Sequence, residues 1–109
     1  MNKPYISGSD VRHAHFYSYT NKDNLIPYYT TTEANQIIDF EQFWDKNNIH
    51  ANFVWIESVD SPLYIGFNDQ DDVVYIPIGH CREISYLDCV RMTIYNSVGT
   101  KLRFYIQTF

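Results

Sequence analysis

Cysteine, glycine, methionine and basic residues are all scarce in this 109-residue chain. Its two cysteines, Cys81 and Cys89, are too few for a disulfide scaffold and form no CxxC pair, so we expect two free, half-buried thiols. With four glycines the chain has no phosphate-cradling loop. It also lacks the run of about 18 apolar residues needed to span a bilayer. Its first residues lack the apolar stretch of a secretory signal, so we expect a soluble protein that is not exported by that route.

The scarcity of basic residues leaves a net charge of −5 at pH 7. Nucleic acids and anionic membrane surfaces both attract Lys and Arg, so we expect neither partner. The charge is uneven, because residues 1–80 carry four basic and eleven acidic side chains, whereas residues 81–109 carry four basic and two acidic ones. Two surfaces of opposite sign suit self-association by complementary patches, and scattered solvated charge is the simpler alternative.

Aromatic residues are abundant: ten Tyr, seven Phe and two Trp make up 17% of the chain. Tyrosine favours strands and partly solvated contact surfaces, because its ring buries area while its hydroxyl keeps a polar partner. The length allows one domain over residues 1–109. Composition therefore predicts a single β domain with an interaction surface rather than a helical bundle.

Alternating hydrophobic residues predict strands throughout the second half. Residues 52–58 are apolar on both faces, as in a central strand, and residues 62–78 are expected to form a hairpin around the acidic turn 68–72. Residues 90–95 and 101–106 are expected to form a last hairpin. Two rows of that hairpin are expected to face the core: Val90, Met92 and Ile94, and Leu102, Phe104 and Ile106. This spacing predicts an all-β fold, an antiparallel β-sandwich or small jelly roll of about 6–8 strands.

The first half has weaker patterning. Residues 33–45 are predicted as a short helix, with Thr30 and Glu33 as a capping box. One helical face carries Ile37, Phe40, Glu41 and Trp44. The alternative is a strand, because residues 37, 39 and 41 alternate with 38, 40 and 42. Residues 1–50 are otherwise expected to include a partly extended arm.

No motif in the chain indicates an enzyme. His13 and His15 can share one face of a strand, but the sequence places no third metal ligand beside them. The acidic turn 68–72 lacks the spacing, glycine and closing glutamate of a calcium loop. Cys81 directly follows His80, so in a strand their side chains face opposite ways and do not pair. We therefore expect no catalytic residues, no metal and no cofactor.

Four segments succeed one another between residues 56 and 107. They are Ser-Pro-Leu-Tyr-Ile-Gly-Phe-Asn at 61–68, Tyr-Ile-Pro-Ile-Gly at 75–79 with Arg-Glu-Ile at 82–84, and Met-Thr-Ile-Tyr-Asn-Ser-Val-Gly-Thr-Lys-Leu-Arg-Phe-Tyr at 92–105. This order resembles small β-sandwich structural proteins of tailed bacteriophage virions, such as capsid decoration, head-fibre attachment and neck or tail adaptor proteins.

The resemblance implies a non-enzymatic structural component of a virion, made in the host cytoplasm. Such a component assembles with other virion proteins and with copies of itself, and we expect a homo-oligomer that is a trimer or a higher ring. A carbohydrate- or receptor-binding β-sandwich module with an exposed Tyr and Trp platform is the alternative.

The non-core face of the predicted last hairpin supplies the candidate interface. It is expected to carry Arg91, Tyr95, Lys101, Arg103 and Tyr105. Like charges directly across strands repel unless a negative group lies nearby. The expected neutraliser is an acidic surface of another copy or another virion protein, around Asp69, Asp71 and Asp72. Intramolecular carboxylates or solvent are the alternative.

Overall fold

The computed structural model describes residues 15–18 and 28–108, apart from the side chain of Tyr86. In these residues the chain forms nine strands and one short helix. In chain order they are β1 (His15–Ser18), β2 (Tyr29–Thr30), β3 (Gln36–Asp39), α1 (Phe40–Trp44), β4 (Ala51–Ser58), β5 (Leu63–Phe67), β6 (Val74–Ile76), β7 (Cys81–Cys89), β8 (Arg91–Ile94) and β9 (Lys101–Thr108). The predicted all-β class is confirmed.

The strands form two antiparallel sheets. The first sheet has the order β1-β9-β4-β7, and β2 pairs with the other end of β9. The second sheet has the order β3-β8-β5-β6. Among the described strands from β2 onward, only β5 and β6 are joined within one sheet, and the other connections cross between sheets. This is the strand order of a jelly roll, in which two sheets cover a common core.

The inner faces of both sheets bury this core. Leu102, Phe104 and Ile106 of β9 are at most 1% exposed, and Met92 and Ile94 of β8 are fully buried. The two predicted core rows are confirmed for these residues. Their alternation with exposed or half-buried residues follows from the two-residue repeat of a strand.

The predicted last hairpin is wrong, because β8 and β9 lie in different sheets. β8 pairs with β3 and β5, whereas β9 pairs with β1, β2 and β4. The connection between them is held to Thr31, whose N–H donates to the Thr100 carbonyl at 2.8 Å and whose carbonyl accepts from Gly99 N–H at 2.9 Å. Two strands that face each other across a core alternate just as two paired strands do, so alternation alone does not distinguish them.

The central strand and the first hairpin are confirmed. β4 lies between β9 and β7, and β5 pairs with β6 so that Leu63 is opposite Ile76 and Ile65 is opposite Val74. In the half of the chain expected to be partly extended, β2 and β3 are strands of the sandwich.

The predicted helix is present in only part of its range. Residues 36–39 are a strand and residues 40–44 are the helix, so each of the two alternatives applies to one part. Asp39 is the N-cap, because its carboxylate accepts the first free N–H groups at 3.1 and 3.4 Å. Thr30 lies in β2, so the predicted capping box is wrong. In the part of the chain described, no helix has the length and hydropathy to cross a bilayer.

Candidate functional site

The outer face of the first sheet carries four aromatic side chains, here called the aromatic row: Phe16, Phe53, Trp55 and Tyr105. Tyr105 is at the centre of the row. Its ring centroid lies 5.4 Å from that of Trp55 with nearly parallel planes (19°), 5.9 Å from Phe53 and 6.5 Å from Phe16. Phe16 is 65% exposed and the other three are half-buried, since they cover one another.

The basic residues beside the aromatic row are paired within the chain. The Arg103 guanidinium donates to the Glu57 carboxylate at 2.9 Å, directly across the ladder from β9 to β4. Lys101 Nζ lies 3.3 Å from an Asp60 carboxylate oxygen. These charges therefore have neutralising partners without a second copy, as in the intramolecular alternative.

The outer face of the second sheet exposes a cluster of apolar and aromatic residues. Ile37 of β3, Tyr64 of β5, Tyr75 of β6 and Tyr95 after β8 are each between 41% and 59% exposed. We call these four residues the tyrosine face. Tyr64 and Tyr75 are direct cross-strand neighbours with ring centroids 5.3 Å apart. The Tyr95 backbone N–H donates to the Tyr64 carbonyl at 2.7 Å, which holds the backbone of Tyr95 beside that of Tyr64.

Gly66 makes room for the ring of Tyr95 on this face. A Cβ atom on Gly66 would lie 2.9 Å from Tyr95 Cε2 and 3.3 Å from its hydroxyl oxygen. Glycine inside a strand often marks such a close approach. The glycine therefore allows Tyr95 to lie against β5, beside Tyr64.

Charged residues border the tyrosine face at one end. Arg91 of β8 is opposite Asp39 of β3, and its guanidinium donates to the Asp69 carboxylate at 2.5 Å. Asp71 and Asp72 are exposed in the connection between β5 and β6. The face thus has an apolar centre and a charged border.

The eight residues predicted as one interface lie on opposite faces of the sandwich. Lys101, Arg103 and Tyr105 belong to the outer face of the first sheet. The other five belong to the second sheet and its loops: Arg91, Tyr95, Asp69, Asp71 and Asp72. The predicted clustering of Arg91 with Lys101 and Arg103 is therefore wrong, for the same reason that the last hairpin is wrong. The expected position of Tyr95 and Tyr105 outside the core is confirmed, and Tyr64 and Tyr75 also lie outside it.

Sequence reasoning did not single out Ile37, Phe16 or Phe53 as surface residues. A signal for Phe53 is present in the sequence, because Phe53 and Trp55 alternate with Val54 and Ile56, which are fully buried. Because both faces of β4 are apolar, the sequence alone does not show which of the two faces the solvent.

Among the described cysteines and histidines, no Cys–His side-chain pair is in contact. Both cysteines are free, Cys81 exposed and Cys89 buried. Burial raises the pKa of the Cys89 thiol to about 11, so it is protonated at neutral pH and is not a nucleophilic thiolate. His50 Nδ1 lies 2.7 Å from an Asp88 carboxylate oxygen at the surface. Whether His13 and His15 share one face of a strand is not tested, because His13 lies outside the described residues.

The aromatic row and the tyrosine face are the two aromatic surfaces that the described residues present on the outside of the sandwich. In residues 15–18 and 28–108, no three His, Cys, Asp or Glu side chains lie close enough together to hold a metal ion. An open depression beside α1 has one carboxylate in its lining, Asp39, and this carboxylate already caps the helix. Comparison of the chain with known protein families, curated proteins and solved structures found no match.

Proposed function

We propose that this protein is a non-enzymatic binding module that assembles with other protein subunits through its tyrosine face, as a structural component of a bacteriophage virion. The observation that carries the proposal is the exposed apolar centre of this face, with charged residues at its border. Protein interfaces share this anatomy, since their centres are enriched in tyrosine and depleted of charged residues. Tyrosine is also among the residues that contribute most to binding energy.

The tyrosine face is a better candidate than the basic face that the sequence suggested. Arg91, Lys101 and Arg103 each have a carboxylate partner within the chain. A second copy would have to replace these partners, and partly exposed ion pairs contribute little net free energy. The three tyrosines can bury ring area without breaking an existing ion pair.

The virion setting comes from the resemblance of residues 56–107 to phage structural proteins. Jelly rolls occur in viral capsid proteins, which supports this setting. They also occur in lectins, and exposed tyrosine rings can stack on sugars. A carbohydrate-binding module is therefore the second candidate.

A double variant of the tyrosine face tests the proposal. Tyr64→Ser with Tyr75→Ser removes a cross-strand pair of exposed rings, while Val98→Ser is the matched control, because Val98 is 62% exposed in the turn before β9. Each form is co-expressed with the proteins encoded by the neighbouring genes. The complexes are then examined by mass photometry and electron microscopy.

We expect the wild type and Val98→Ser to assemble with a neighbour-encoded protein, and the double variant to lose at least tenfold in affinity at unchanged circular dichroism. Equal assembly of all three forms would contradict the proposal. A glycan array is measured in parallel on the purified chain. Glycan binding by the wild type that the double variant loses, without assembly, would establish the carbohydrate-binding alternative instead.

A further inference from the structure

β7 is the longest described strand and, among the described strands, it lies at an open edge of the first sheet. It runs over Cys81–Cys89, and within residues 15–18 and 28–108 its one ladder partner is β4. The edge strands of the second sheet are shorter: β3 has four residues, and β6 has three and is followed by Pro77. A short strand or an adjacent proline protects a sheet edge against further pairing, whereas a long edge presents a row of unpaired N–H and C=O groups.

The hydrogen-bond pattern identifies which backbone groups of β7 face this edge. The Ser58 N–H donates to the carbonyl of His80, directly opposite, at 3.0 Å. Hydrogen-bonded pairs alternate along an antiparallel ladder, so Arg82 and Ile84 also direct their backbone groups to β4. The residues between them point theirs away from β4: Cys81, Glu83 and Ser85.

The side chains along this edge are also available. Arg82 and Glu83 are exposed. Within the described residues neither forms an ion pair, unlike Arg91, Lys101 and Arg103. As far as residues 15–18 and 28–108 are concerned, the edge therefore has both unpaired backbone groups and uncompensated charges.

We propose that β7 pairs with β7 of a second copy of this chain, antiparallel about a two-fold axis, so that the two first sheets become one continuous sheet. A two-fold axis through Arg82 or Glu83 would set that residue directly against its own copy, where like charges repel. An axis through Ile84 instead sets Glu83 opposite Ser85 of the partner subunit. This register joins the open backbone groups of residues 83 and 85, and it lets the serine hydroxyl donate to the carboxylate.

The geometry of β7 disfavours a register centred beyond Ser85. Ser85 is opposite Phe53, but Cys89 is opposite Ala51, so β7 contains more residues than β4 between these two pairs. Such a bulge interrupts the regular row of groups that a second strand needs. The regular part of β7 is centred near residue 83. Of the axes through Arg82, Glu83 and Ile84, only the axis through Ile84 avoids placing like charges opposite each other.

Exposed apolar residues lie on the same side of the sandwich. The connection from Pro77 to His80 joins the edge strand β6 to the edge strand β7. Ile78 in this connection is 56% exposed, and Val73 before β6 is 50% exposed. A second copy aligned along β7 can cover these side chains, which adds apolar area to the backbone hydrogen bonds.

Proline substitution at Ser85 tests the pairing on the full-length chain. The Ser85 N–H is not used in the ladder with β4, so Ser85→Pro removes a donor from the open edge without removing a bond of the fold. Ser85→Ala is the matched control. We expect sedimentation equilibrium to show a wild-type dimer, a dimer Kd raised at least tenfold by Ser85→Pro, and less than a threefold change for Ser85→Ala. A monomeric wild type, or a folded Ser85→Pro that dimerises as tightly, would overturn the proposal.

Disulfide trapping tests the register without proline. In a Cys81→Ser background, Ile84→Cys faces its own copy across a non-hydrogen-bonded pair, about 4.5 Å between Cα atoms and within disulfide range. Arg82→Cys is the control, because its two copies lie about 13 Å apart in this register. We expect oxidation to link only the Ile84→Cys protein as dimers. Linkage at residue 82 instead, or at neither position, would refute the register. The tyrosine-face double variant should dimerise like the wild type, so this inference can fail independently of the proposed function.

Discussion

Truncating Leu102 to alanine tests which face of β9 forms the core. Leu102 is fully buried, opposite Ser58 of β4 on one side and Tyr29 of β2 on the other. Because both neighbours are held by backbone ladders, they cannot move far enough to fill the space of the lost carbons. A buried Leu→Ala change with partial relaxation costs about 2–5 kcal/mol. We expect Leu102→Ala to fall in that range.

Arg103→Ala is the control on the opposite face of the same strand. The Arg103 and Glu57 side chains are 33% and 29% exposed, and their ion pair lies at the outer surface of the sheet. Pairs with this access to water contribute up to about 1 kcal/mol. The two substitutions should therefore differ by at least about 1 kcal/mol in their effect on the free energy of unfolding. Because the residues are adjacent, this difference comes from the direction in which each side chain points.

Thermal and urea unfolding measure both variants. For a domain near 100 residues, about 4 °C of melting temperature corresponds to 1 kcal/mol, so Leu102→Ala should lower the melting temperature by about 8–20 °C and Arg103→Ala by about 4 °C or less. A larger loss for Arg103→Ala than for Leu102→Ala would show that the inner and outer faces of β9 are exchanged. A shift of register by one residue has that effect.

Four further predictions concern local contacts. Asn68→Ala should lower the free energy of unfolding by about 1–3 kcal/mol in urea, because the Asn68 side chain bonds the backbone of the β7–β8 turn at 2.8 and 2.9 Å. Gly66→Ala should displace the Tyr95 ring and destabilise the protein, and adding Tyr95→Ser should restore part of the stability, as a double-mutant cycle would show. At neutral pH a thiol reagent should modify Cys81 in the native protein and Cys89 only after unfolding. Folding raises the pKa of Cys89 from 9.0 to about 11, so the free energy of unfolding should fall by about 2–3 kcal/mol as pH rises between these values. Cys89→Ala should lose less stability over the same pH range.

Alternation in the sequence was sufficient to predict strands and the faces that they bury. Along β9 every second residue from Leu102 to Thr108 is buried, and the residues between are half-buried. This pattern is local, since each strand points alternate side chains to opposite sides whatever its neighbours are. The core and the β-sandwich class therefore followed from the sequence.

The change from strand to helix at Asp39 required more than local pattern. Residues 36–44 fit both a two-residue and a helical repeat, and the chain uses both in succession. Pairing of β3 with β8 extends the first part, while the Asp39 carboxylate caps the second. The strand partner is more than 50 positions away, so no window of sequence around Asp39 contains it.

Strand partners also explain why the candidate interface was misplaced while the exposed tyrosines were not. Arg103 and Glu57 form their ion pair across 46 positions, and the pairing is visible only once β9 is known to lie beside β4. A surplus of basic residues in the last segment thus reveals nothing about where their carboxylates lie. The exposure of Tyr64, by contrast, depends only on its being adjacent to buried Leu63 and Ile65 in one strand. Whether an aromatic side chain faces the core or the solvent depends on its position within one strand. Whether a charged side chain has an ion-pair partner depends on which strands lie side by side. In a β-sandwich, surface aromatic residues are therefore a more dependable guide to a binding face than charged residues are.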